Sequence, residues 1–110
     1  MATDELSLTF AALANPTRRA ILDRLAEGEA TVAELAKPFS VSAPAISRHL
    51  KVLEHAGLVS RSRIAQSRPT TLRLEAIDEA DAWMMACKAT WEQRMDRLGE
   101  HLERIQGRRR

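Results

Sequence analysis

The chain is poor in the residues that staple small proteins together or build catalytic constellations. Of its 110 residues one is cysteine, Cys87. A disulfide within the chain is therefore excluded, and so is a closed cysteine-rich zinc site. Glycine and proline number four each, which argues against long linkers and low-complexity segments. The longest purely apolar run, Ala82 to Cys87, falls far short of the roughly 20 residues that span a bilayer. No glycine-rich phosphate loop, nucleophile–base pair or metal-ligand cluster is recognisable, so the sequence does not read as an enzyme. The opening stretch MATDELSL is acidic and lacks the layout of a signal peptide, which makes the cytoplasm the expected compartment. A strong excess of one charge is missing too. At a formal +2, any case for nucleic acid has to rest on where the charges sit. Hydrophobic residues at 45% and charged residues at 29% fit one soluble globular domain over residues 1–110.

Helix punctuation is abundant. Leu6, Phe10 and Leu13 recur at helical spacing and suggest a short first helix, either a brace for the core or a dimer contact. Asn15-Pro16 opens a second helix, because asparagine caps and proline suits a position that needs no amide donor. Ile21, Leu22 and Leu25 form its apolar stripe, Arg18, Arg19 and Arg24 read as its solvated face in preference to phosphate contacts, and Gly28 is its expected stop.

The segment Thr31 to Leu58 organises the rest. Thr31-Val32-Ala33-Glu34 fits a capping box, and Pro38 stops the short helix that follows. Phe39 and Val41 read as plugs beneath the turn. Ser42 caps the next helix, with Pro44 in its first turn. Ile46, Leu50 and Leu53 make a buried face, while Pro44, Ser47, Arg48 and Lys51 line up on a different one. That second stripe is short, polar and basic, as a DNA-reading helix requires. Gly57 ends the helix and Leu58 folds back on it. The unit over residues 31–57 thus reads as a helix-turn-helix.

Leu58 to Ile64 and Thr70 to Leu74 alternate and predict a two-stranded hairpin, a wing over residues 58–75 carrying Arg61, Arg63, Arg68 and Arg73. Beside a recognition helix these arginines fit phosphate or minor-groove contact better than protection of a strand edge. A last helix is expected over residues 77–105. Ile77, Met84, Trp91, Leu98 and Ile105 repeat every seven residues; Ala80 and Cys87, then Met95 and Leu102, supply a second position. A stripe of that length points to packing against a second copy. Leu6, Phe10, Met84, Cys87, Trp91, Met95, Leu98 and Leu102 are therefore the expected dimer surface. The fold class implied is mainly α with a small β-hairpin, ordered α-α-α-α-β-β-α and dimerising through its terminal helices.

The stretches LANPTRRAILDRLAEGEATVAELA and SAPAISRHLKVLEHAGLV resemble the ArsR-type (ArsR/SmtB) winged-helix regulators over about Phe10 to Leu74, and more loosely over the last helix. The resemblance implies a small dimeric repressor binding double-stranded DNA. Ser42, Ala43, Pro44, Ser47, Arg48 and Lys51 match the family's DNA-reading positions, and Arg61, Arg63 and Arg68 extend them. It implies a metal-free branch. Where metal-sensing members carry a cysteine pair, this chain has Thr31-Val32-Ala33-Glu34-Leu35, and Asp78, Asp81 and His101 stand too far apart for one site. No metal or cofactor is therefore expected, and the resemblance leaves open whether an unidentified small-molecule inducer acts on the chain. Alternatives are a winged-helix module for protein contacts and a thiol-responsive regulator using Cys87. His49 is expected either to bond a backbone group or to reach a phosphate.

Overall fold

The computed structural model describes residues 4–61 and 69–108. In chain order they form α1 (Glu5–Leu13), α2 (Pro16–Leu25), α3 (Val32–Ala36), α4 (Ala43–His55), β1 (Val59–Arg61), β2 (Thr70–Leu72) and α5 (Glu75–Arg108). This is the expected order, mainly helical with one antiparallel hairpin. Two compact units are present, Met1–Ala80 and Asp81–Arg110.

In the first unit the helices begin where short polar side chains take an amide that lacks a helical partner. Asp4 accepts from the Ser7 amide at 2.7 Å and Asn15 from the Arg18 amide at 3.1 Å. Thr31 and Glu34 close the expected capping box. Ser42 Oγ accepts from the Ala45 amide at 3.3 Å. α4 stops as expected. Gly57 adopts φ +77, its amide donates to the Glu54 carbonyl at 3.0 Å, and the Leu58 amide donates to Leu53 at 2.9 Å. These paired bonds satisfy carbonyls the helix leaves open, and the left-handed backbone at Gly57 suits glycine. α2 differs from expectation. It ends at Leu25 with Ala26 as its cap, and Gly28, at φ +145, lies beyond it in the turn toward α3.

Ile21, Leu35, Ile46, Leu50, Leu53 and Leu58 are fully buried and form the centre of the first unit. Each such side chain withdrawn from water is worth roughly 1.5–3 kcal/mol before the costs of ordering it. α4 packs against α1, α2, α3 and β1. Phe39 packs partly buried against the core as the turn requires. Val41 does not: it precedes the Ser42 cap, where the chain turns outward, and is 42% exposed.

β2 ends at Leu72, two residues before the alternation does, and the expected continuation of β1 to Ile64 lies outside the described residues. Val59 pairs with Leu72, Ser60 with Thr71 and Arg61 with Thr70. Thr70 also exchanges backbone hydrogen bonds with Ala30, at 2.8 and 3.2 Å, which ties the base of the wing to the approach to α3. Leu72 packs on the core, whereas Leu74, expected to share its face, is 54% exposed. α5 begins at Glu75 rather than Ile77 and continues past Ile105 to Arg108. Ile77 packs against the core and Ala80 is buried.

Candidate nucleic-acid interface

α4 presents two unlike faces. Ile46, Leu50 and Leu53 are withdrawn completely from solvent and fix the helix from behind. Arg48 and Lys51 are exposed, as are Ser42, Ala43 and Pro44 in its opening turn, and Ser47 is half-buried beside them. Among the described residues neither the Arg48 nor the Lys51 side chain makes a hydrogen bond or ion pair. Both cations are thus unspent, and an arginine with no internal partner retains its full fork of donors for a base edge or a phosphate.

The opening turn of α4 offers less than a bare helix start would. Pro44 has no amide hydrogen and the Ala45 amide is taken by Ser42 Oγ. That leaves the Ala43 amide, together with the Ser42 hydroxyl hydrogen, for an approaching anion.

Beyond Lys51, the second half of α4 and β1 border a polar cleft of about 610 Å3 lined by Lys51, Glu54, His55, Val59, Ser60 and Arg61. Arg61 is half-buried, and its Nε is shielded from solvent without a partner among the described residues. Arg63 and Arg68 lie outside the described residues. Arg73, counted with the wing arginines in the sequence, is already engaged: it grips Glu75 with two hydrogen bonds, at 3.2 and 3.4 Å. Glu75 in turn is held below the ordinary carboxylate range by backbone hydrogen bonding and by Arg73.

Three arginines assigned to a solvated face have structural tasks instead. Arg18 Nε donates to the Ala12 carbonyl at 2.8 Å and its Nη2 to Ala11 at 3.0 Å. Arg19 Nη1 donates to Leu13 at 2.7 Å. These are carbonyls of the last turn of α1, of which Ala11 also accepts from the Ala14 amide at 3.3 Å, and a cation is favoured there by the helix dipole. Arg24 donates to Gly28 at 3.2 Å and approaches Glu34 at 3.9 Å. Arg18 also reaches α4: its Nη1 stands 3.4 Å from His49 Nδ1. On its Nδ1 side His49 therefore meets a side chain instead of the backbone group expected of it.

In the second unit Trp83, Met84, Met85, Trp91, Met95, Leu98 and Leu102 are all exposed, Trp91 at 59% and Met95 at 72%. Cys87 is a free thiol, half-buried among them in sequence. On α1, Leu6 and Phe10 are half-buried. Among the described residues no group of His, Cys, Asp or Glu is placed to hold a metal ion, and no helix is long and apolar enough to cross a membrane.

A short helix, a turn, a second helix with a free basic face, and a hairpin beside it define a winged helix-turn-helix. A family profile described as a helix-turn-helix domain matches residues 13–61. The transcriptional repressor SdpR of Bacillus subtilis is 37% identical over 76 residues, 69% of this chain and 84% of that protein. The crystal structure of an ArsR family transcriptional regulator superposes with a TM-score of 0.76 at 38% identity, covering 81% of this chain and 98% of the other. A homodimeric winged helix-turn-helix DNA-binding domain from Mycobacterium bovis, solved by NMR, superposes at 0.60 with 25% identity, covering 84% and 82%. The chain belongs to the ArsR family of winged helix-turn-helix proteins and is a DNA-binding transcriptional regulator.

Proposed function

We propose that the chain works as a homodimeric repressor, with α4 of each copy in the major groove of an imperfectly palindromic operator. The observation that carries this reading is the free, exposed pair Arg48 and Lys51 on a helix whose opposite face is locked into the core. In this reading Arg48 grips a guanine through N7 and O6, and Ser47 reads a neighbouring position. Ser42, Ala43 and Pro44 border the phosphate backbone at the helix start. Lys51 and Arg61 supply sequence-blind attraction to phosphates along the cleft, joined by Arg63 and Arg68 of the wing. Dimerisation uses the exposed apolar face of α5, from Met84 and Cys87 through Trp91, Met95 and Leu98 to Leu102, with Leu6 and Phe10 of α1 contributing. Two symmetric copies then present their recognition helices about one turn of DNA apart.

Occupancy of a promoter excludes polymerase, so the output is repression, in the cytoplasm and without a catalytic step. SdpR, a named repressor, and the homodimeric mycobacterial domain both support this reading. Selection from random duplex DNA should return paired half-sites. Arg48→Ala should then cost roughly 1–3 kcal/mol on the selected site and relax one position in each half. An unchanged footprint and unchanged affinity in Arg48→Ala would remove Arg48 as the base reader.

A further inference from the structure

The core holds α4 through Ile46, Leu50 and Leu53, all aliphatic. Close packing of that face settles the approximate roll of α4 about its own axis, and a directional polar contact can trim it further. Arg18 supplies one. Its planar guanidinium is aimed by two bonds to the end of α1, at Ala12 and Ala11, and its remaining reach meets His49 Nδ1 on α4 at 3.4 Å. A single rigid fork thus joins three helices. A guanidinium can only donate, so the imidazole has to accept at Nδ1 and carry its hydrogen on Nε2. Burial and the charge of Arg18 both favour that neutral ring. At 3.4 Å the contact is long for a hydrogen bond, and its importance lies in direction rather than in energy.

We propose that Arg18 and His49 form a positioning link that trims the roll of α4, and through it how sharply Arg48 and Ser47 discriminate between bases. The proposal rests on the reading of α4 as the recognition helix. His49 adjoins Arg48 in sequence but stands toward the α1–α2 corner, behind the basic stripe. Geometry shows why small rolls matter. A guanidinium about 9 Å from the helix axis moves by about 1.6 Å when the helix rolls by about 10°. That displacement exceeds the whole range of good hydrogen-bond lengths.

The test uses the full chain, a duplex selected from random DNA, and a scrambled duplex of the same composition. His49→Leu keeps the bulk and removes the acceptor. It should lower the ratio of selected-site to scrambled affinity about tenfold, within the worth of one well-placed arginine–base pair, while affinity for scrambled DNA stays as in the wild type. His49→Gln, whose amide oxygen can accept from Arg18, should restore the ratio. A long-range proton–nitrogen NMR spectrum of the free wild-type protein should show His49 in the Nε2–H form, with its Nδ1 resonance displaced in Arg18→Lys. The link is overturned if His49→Leu keeps the wild-type ratio, if it loses affinity equally for both duplexes, or if His49 carries its proton on Nδ1. Should the wild type itself fail to prefer any selected site, the recognition-helix reading fails first. That outcome shows in the wild type alone and is distinct from a failure of the link.

Discussion

The residues whose roles were hardest to read from the sequence are those whose partners are backbone atoms. Arg18, Arg19 and Arg24 look like an ordinary solvated face, because the carbonyls they satisfy belong to other segments and a carbonyl has no residue signature. Arg48 and Lys51 need no partner elsewhere in the chain to be placed: helical spacing alone puts them on one face, and both are exposed. Thr70 makes a related point. It is fully buried, both its backbone groups bond Ala30, and its hydroxyl has no partner among the described residues. Removing an unsatisfied hydroxyl while keeping the shape relieves a desolvation penalty. Thr70→Val should therefore leave urea-denaturation stability unchanged or raise it by up to about 1 kcal/mol, whereas a loss of several kcal/mol would mean that the hydroxyl is bonded in solution. His49 carries a prediction about pH. Burial first, and the Arg18 charge second, lower its pKa on folding. As pH falls, the unfolded chain takes up the proton before the folded one does. The stability due to this ring is thus complete above its unfolded value of about 6.5 and declines as pH drops from there through the folded value. The melting temperature of the wild type should fall more than that of His49→Gln between about pH 7.5 and about pH 5.5; parallel losses would show that other groups dominate.

At the scale of the element, what the sequence revealed was what is decided locally. Asn15, Thr31 with Glu34, Ser42 and Gly57 each act within a few residues of themselves, and the structure has them capping or stopping helices as their types predict. Gly28 misled because a glycine past a helix reads as its stop, while α2 had already ended at Leu25 with no glycine at its cap. The hairpin misled for a different reason. Alternation continues through Leu74, but a strand exists only where a partner strand pairs with it, and pairing covers Thr70 to Leu72. Gly57 offers the clearest test at this scale. A Cβ there would meet Ala76 Cβ at 3.9 Å, an ordinary contact, so any penalty comes from the left-handed backbone and not from crowding. Gly57→Ala should cost about 1–2 kcal/mol, read by chemical denaturation, and Gly57→Asn should cost less because asparagine tolerates that conformation better. Equal losses for both would point to packing instead of φ.

For the molecule as a whole, the sequence disclosed a need without disclosing what meets it. The seven-residue repeat from Ile77 to Ile105 announces a helix with an apolar stripe, and the structure shows its middle and later members, Trp91, Met95, Leu98 and Leu102, exposed. Large apolar side chains in that number rarely stay in water on a functional protein. Such a surface either coats a partner or promotes aggregation, and a second copy of the same chain is the partner that the proposed palindromic operator demands. The two requirements are coupled, which makes them testable together. Trp91→Glu combined with Met95→Glu places two charges on the stripe and leaves the first unit's core untouched. The variant should keep its helical circular dichroism, elute as a monomer at micromolar concentration, and bind an isolated half-site as the wild-type subunit does. On the full operator it should lose the gain from binding with two linked heads, about 100-fold or more. A variant that stays dimeric would place the subunit contact elsewhere. One that becomes monomeric yet keeps full operator affinity would show that each chain reads its DNA alone, and the palindrome would lose its purpose.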